Sequence, residues 1–78
     1  MNATIASRSG SLVNIDSGIL SGTPVFRGTR VPVQTLWDHL ISGETLDDFL
    51  EGFPSVSRQQ AEAVIDEALR LLIDDAQA

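Results

Sequence analysis

The sequence predicts a mainly α-helical domain in which a short N-terminal β-arm or hairpin, residues 12–30, precedes three helices within residues 33–74. Three observations carry that expectation. The chain has 78 residues, enough for one small domain and no more. Up to residue 30 its apolar residues come in short runs broken by Gly, Ser and Pro, and from residue 33 they recur at helical spacing. Turn signals then fall at Gly43-Glu44 and across Gly52 to Val56, which divides the helical part in three.

Residues 1–11 are rich in Ser, Asn, Ala and Gly and are expected to be a flexible N-terminus, with Ile5 able to pair weakly at a sheet edge. Leu12-Val13-Asn14-Ile15-Asp16 has strand character and is followed by the turn Ser17-Gly18. Ile19-Leu20 lead to a second turn, Ser21-Gly22-Thr23-Pro24. Val25-Phe26-Arg27 is then a short strand closed by Gly28-Thr29. An isolated hairpin of this size is marginal in water, so it has to pack on helices or on a second subunit.

The first helix is expected from Val33, with Val33, Leu36, Trp37, Leu40 and Ile41 on one face and Gly43 ending it. The second opens on Thr45 as N-cap with Asp48 three residues on, a near capping box, and buries Leu46, Phe49, Leu50 and Phe53 before Pro54 stops it. Ser57 and Gln60 match the S-x-x-Q capping box at the head of the third helix, which runs to about Asp74 over a core face of Ala61, Val64, Ile65, Ala68, Leu69 and Leu72. Residues 75–78 follow as a short tail. Three helices on short turns fit a helix-turn-helix domain and a plain three-helix bundle alike.

Composition removes several function classes. With no Cys, there is no disulfide framework, no thiolate nucleophile and no Cys-based zinc site, and His39 is the only histidine. No apolar run reaches 18 residues, and MNATIASRSG has no signal-peptide core, so a soluble cytoplasmic protein is expected, with no membrane. The net charge of −6 is uneven: residues 1–34 hold three arginines against one acid, and residues 35–78 two arginines against ten acids. With no lysine at all, the acidic half suits a basic protein partner better than a phosphate backbone.

No enzyme is expected, and no cofactor, metal or small-molecule substrate. Asp38 and His39 are helix neighbours that point about 100° apart and so do not form an acid–base pair. Asp47, Asp48 and Glu51 read as a solvated helix face. The segment from Gly22 to Val33 has glycines and arginines that invite a phosphate cradle, yet no Lys follows a glycine and no helix starts after Gly28. The plainer expectation has Arg27 and Arg30 pairing with helix carboxylates. Ser57, Arg58, Gln59 and Gln60 place base-reading side chains at a helix start, against Glu62, Asp66 and Glu67 on nearby faces, which would repel DNA. Leu69-Arg70-Leu71-Leu72-Ile73 is apolar on more than one face, which leaves surface for a second contact.

Gly22-Thr23-Pro24-Val25-Phe26-Arg27-Gly28-Thr29-Arg30-Val31-Pro32-Val33, the turn Gly43-Glu44-Thr45-Leu46-Asp47 and the turn Pro54-Ser55-Val56-Ser57 together resemble the spaced motifs of a widespread prokaryotic family of small proteins. That family is catalogued as a domain of unknown function and described as VapB-like antitoxins. The likeness spans about residues 12–73, with Phe26 where an aliphatic residue is usual. It implies a β-arm ahead of a homeodomain-like helix-turn-helix, a homodimer, and an antitoxin that neutralises a PIN-like ribonuclease toxin and binds operator DNA. On that likeness Arg58, Gln59 and Gln60 would read DNA, Arg27, Thr29 and Arg30 would brace the arm or meet a partner, and Leu71 and Ile73 would contact the second subunit or the toxin. The other expectation is a protein-interaction module without DNA binding, which the net charge favours.

Overall fold

A computed structural model describes residues 9–18 and 22–77; the expectations for Ile5 and for Ile19-Leu20 lie outside them. The element order is α1 (Ser9–Leu12), β1 (Val13–Asn14), β2 (Val25–Phe26), α2 (Val33–Ile41), α3 (Leu46–Gly52) and α4 (Arg58–Gln77). The fold is mainly helical, with a short two-stranded antiparallel arm ahead of three helices, as the residue pattern predicts. Among the described residues, no helix is long and apolar enough to cross a membrane.

The arm is shorter than its sequence suggests. Leu12 closes the helical turn α1, and only Val13 and Asn14 pair, opposite Phe26 and Val25. Ile15 and Asp16 lie beyond the strand, where Asp16 Oδ1 instead accepts the Gly18 amide at 2.8 Å in a local turn. Arg27 likewise lies outside β2, although its amide still reaches the Leu12 carbonyl at 2.9 Å.

Beyond β2 the chain folds back on itself in a tight loop. The Phe26 amide bonds the Val31 carbonyl at 3.0 Å, and the Thr29 amide returns to Phe26 O at 3.0 Å. Gly28 takes φ +80°, the left-handed value that the third position of a type II turn requires. The Thr29 hydroxyl completes the loop by donating to Phe26 O at 2.8 Å and accepting from the Val31 amide at 3.0 Å. Glycine, threonine and the flanking apolar residues thus have a common local reason: they let a six-residue reversal satisfy its own backbone.

The helices end where their caps dictate. Past Ile41, Gly43 adopts φ +93°, its amide bonds Leu40 O at 3.1 Å and the Glu44 amide bonds His39 O at 2.9 Å, a Schellman closure. Thr45 and Asp48 form the full reciprocal capping box on α3. At α4 only half of the expected box is present. Ser57 Oγ accepts the Gln60 amide at 3.0 Å, but the Gln60 side chain turns away to Arg27.

The core is a layer of Phe26, Val31, Leu36, Phe49, Val56, Ala61 and Val64. Phe26, at the position where the resembling family carries an aliphatic residue, is wholly buried, with its ring centroid 5.9 Å from that of Phe49. Two expected helix faces extend past their partners. Leu40 and Ile41 on α2 are 37% and 79% exposed, and Leu69 and Leu72 on α4 are 54% and 66% exposed. Helical period identifies a face, but how far that face is covered depends on the length of the neighbouring elements. Here α4 outruns them and continues through Gln77 rather than stopping near Asp74.

Candidate functional site

Arg27 and Gln60 meet at the junction of the arm and the head of α4, with Thr29 two residues on in the loop after β2. The Gln60 Nε2 group donates to the Arg27 carbonyl at 2.8 Å. The Arg27 guanidinium points the other way and donates from Nη2 to the carbonyls of Gly10 at 2.6 Å and Val13 at 3.4 Å. Arg27 therefore braces the arm through main-chain oxygens and not through a helix carboxylate. Arg30 is exposed and, among the described residues, has no hydrogen-bond or ion-pair partner, so the carboxylate pairing expected for it is absent there too.

Arg58 and Gln59 sit on the first turn of α4. Arg58 forms ion pairs with Asp47 of α3 and, at 3.5 Å, with Glu62 one turn along its own helix. All three side chains are at least half exposed, so these pairs bias the guanidinium without fixing it. Gln59 is exposed. Of the three candidate DNA readers, Gln60 is thus committed to the arm, Arg58 is partly neutralised and Gln59 faces solvent.

His39 is a positioned half-buried histidine rather than part of an acid–base pair. Its Nδ1–H donates to Thr35 O at 2.9 Å, while Asp38 Oδ1 takes the Gln34 amide at 3.1 Å, so the two neighbours have separate partners. The His39 ring stands edge-on to Phe49 and Phe53 at centroid distances of 5.5 and 5.6 Å. Its Nε2 lies 3.8 Å from Glu44 Oε1. Asp48 holds its pKa below the ordinary carboxylate value, chiefly because it accepts the Thr45 backbone amide and then because of the Thr45 hydroxyl.

The far end of α4 presents Leu69, Leu71, Leu72 and Ile73, each at least 45% exposed. Leu71 also forms one wall of a pocket of about 170 Å³ between the arm, α2 and α4, with Leu12, Val13, Val33, Trp37, Val64, Glu67 and Ala68. Glu67 departs from expectation. It is only 5% exposed, packed into this wall, with its Oε1 4.0 Å from Arg70 Nε. By charge it reads, with Glu62 and Asp66, as an acid that would repel DNA, yet its spacing from Val64 and Leu71 puts it on their face.

An arm-plus-three-helix domain with a capped long helix is the class that this geometry defines. Within that class, the family model described as "Protein of unknown function (DUF433)" matches residues 13–68, and the chain belongs to that family. A crystal structure of a DUF433 member protein from Anabaena variabilis ATCC 29413 is similar with a TM-score of 0.65 and 25% identity, over 86% of this chain and 68% of that one. The uncharacterized protein y4eO of Sinorhizobium fredii (strain NBRC 101917 / NGR234) is 39% identical over 49 residues, 63% of this chain. The matched stretch covers 22% of that relative, so this chain spans about a fifth of its length.

Proposed function

We propose that this protein is a VapB-like antitoxin, a homodimer that neutralises a PIN-like ribonuclease toxin through the far end of α4 and represses its own operon by setting the head of α4 on operator DNA. The observation that carries the reading is the division of α4. Its first half is capped and packed, with Arg58 and Gln59 at the exposed start, while Leu69, Leu71, Leu72 and Ile73 in its second half are each at least 45% exposed. Unburied leucine and isoleucine on one helix mark a protein contact more readily than a DNA contact. Masking the toxin is accordingly the better supported half of the proposal.

The test is to co-purify the protein with the product of the adjacent gene and measure ribonuclease activity with and without it. Operator binding is read separately by anisotropy, with the protein's own upstream duplex against a scrambled one at two salt concentrations. Inhibition of the ribonuclease together with salt-sensitive operator preference supports both halves.

A second reading, an interaction module with no DNA role, draws on particular contacts. Arg58 is already paired with Asp47 and Glu62, Gln60 already bonds Arg27, and the net charge is −6. Partner binding without operator preference at any salt selects that reading.

A further inference from the structure

The pocket beside Trp37 has a size and a setting that specify its occupant. Its room of about 170 Å³ falls below the ~300–1,000 Å³ of sites that enclose small organic ligands, and suits a single bulky side chain. Val33, Trp37, Ala68 and Leu71 make the walls largely apolar, and Leu71 is still 46% exposed. The exposed acids on the pocket's side of α4 are Asp74 and Asp75; Glu62 and Asp66 lie about 160° round the helix from Val64, and Glu67 is buried in the wall. Asp74 and Asp75 lie within about one helical turn of Leu71.

We infer that this pocket anchors an amphipathic helix of a partner protein, which seats one bulky apolar side chain against Trp37 and Leu71 and sets flanking lysines or arginines beside Asp74 and Asp75. The inference deepens the proposed antitoxin reading by naming the partner's chemistry, although the site itself does not require the partner to be a ribonuclease. A second copy of this chain is a poorer occupant. It has no lysine, and its α4 would set Asp74 and Asp75 against the same pair. A buried apolar anchor supplies most of the affinity in such contacts, and the charged rim sets approach and partner choice.

Trp37 is the only tryptophan in the chain, so its emission reports the pocket directly. The full-length protein is titrated with a helical peptide of leucine and lysine in a 3.6-residue apolar repeat, and with a counterpart carrying glutamate for lysine. The expected result is a saturable blue shift of Trp37 with the lysine peptide, no shift with the glutamate peptide, and at least several-fold weaker binding when salt rises from about 50 to about 500 mM. Ala68→Phe, which fills the pocket, should weaken the lysine peptide at least tenfold. The double change Asp74→Asn, Asp75→Asn, on exposed positions with no packing role, should weaken it several-fold.

Equal response to both peptides, or lysine-peptide affinity unchanged in both variants, overturns the proposal. A Trp37 shift that follows protein concentration without peptide also overturns it, because the occupant is then a second copy. If the lysine peptide seats as expected and a PIN-like ribonuclease is still not inhibited, the antitoxin reading fails and the anchor site stands.

Discussion

The side-chain amide of Gln60 donates to the main-chain carbonyl of Arg27 at 2.8 Å, a bond that spans 33 residues of chain and ties the head of α4 to the loop after β2. The same arginine uses its guanidinium to hold the Gly10 and Val13 carbonyls on the opposite side. One residue thus accepts from the helix and donates to the arm, which makes it the mechanical link between them.

Breaking that link should loosen the arm before the core. Gln60→Ala is expected to cost about 1 kcal/mol, the usual net worth of one hydrogen bond. Hydrogen exchange is the sharper measurement. The Arg27 amide, bonded to Leu12 O, should lose protection in Gln60→Ala while amides in the middle of α2 keep theirs.

The reversal between β2 and α2 makes a second prediction. Thr29→Val keeps the side-chain shape but removes the hydroxyl that serves both Phe26 O and the Val31 amide, at a cost of about 1–3 kcal/mol. Thr29→Ser should recover most of the loss. Gly28→Ala meets no atom within 4 Å, so its cost is backbone strain alone, about 1–2 kcal/mol at φ +80°. Urea midpoints of the three variants test the order.

Buried and exposed apolar residues of similar sequence character should separate cleanly. Phe49→Ala removes a wholly buried ring that touches Phe26, His39 and Phe53, and should cost about 3–5 kcal/mol, enough to unfold much of a domain this small. Leu72→Ala, at a position 66% exposed, should change stability by no more than about 0.5 kcal/mol. Paired urea titrations followed by circular dichroism check the contrast, and a large loss in Leu72→Ala would show that the end of α4 is covered in solution.

Acid should weaken the α3 cap in a defined direction. Asp48 has its folded pKa depressed by the Thr45 amide, so the cap contributes fully above the unfolded carboxylate value of about 3.9 and is lost as pH falls through the folded value. Asp48→Asn should therefore flatten the acid limb of stability against pH and leave the limb above pH 6 unchanged in slope. Urea midpoints across the acid range supply the curve.

What the residues disclose in advance follows the range of each interaction. Thr45 and Asp48 lie three positions apart and need nothing else, so their reciprocal cap is legible in the chain. Ser57 and Gln60 have the same spacing, and Ser57 does cap the helix, yet the Gln60 amide goes to Arg27 because folding brings a carbonyl there. The arginines show the same limit. Their charge suggests carboxylate partners, but Arg27 lies beside the ends of α1 and β1, where free carbonyls are the available acceptors. The burial of Glu67 has a local clue in its spacing from Val64 and Leu71, which its charge alone overrides in a reading by residue type. The pocket itself needs residues of α1, β1, α2 and α4 and has no signature along the chain.

A twenty-residue α4 is about 30 Å long, and it is one continuous helix from Arg58 to Gln77. It behaves as a strut with a fixed rotational phase. A body resting on its far end stands clear of its head, and the angle between the two is set by residue count alone. One alanine added in its exposed half would turn the far end by about 100° and advance it about 1.5 Å, leaving the capped head in place. Orientation between whatever occupies the two ends is therefore written into the length of this helix, and it can be changed one residue at a time.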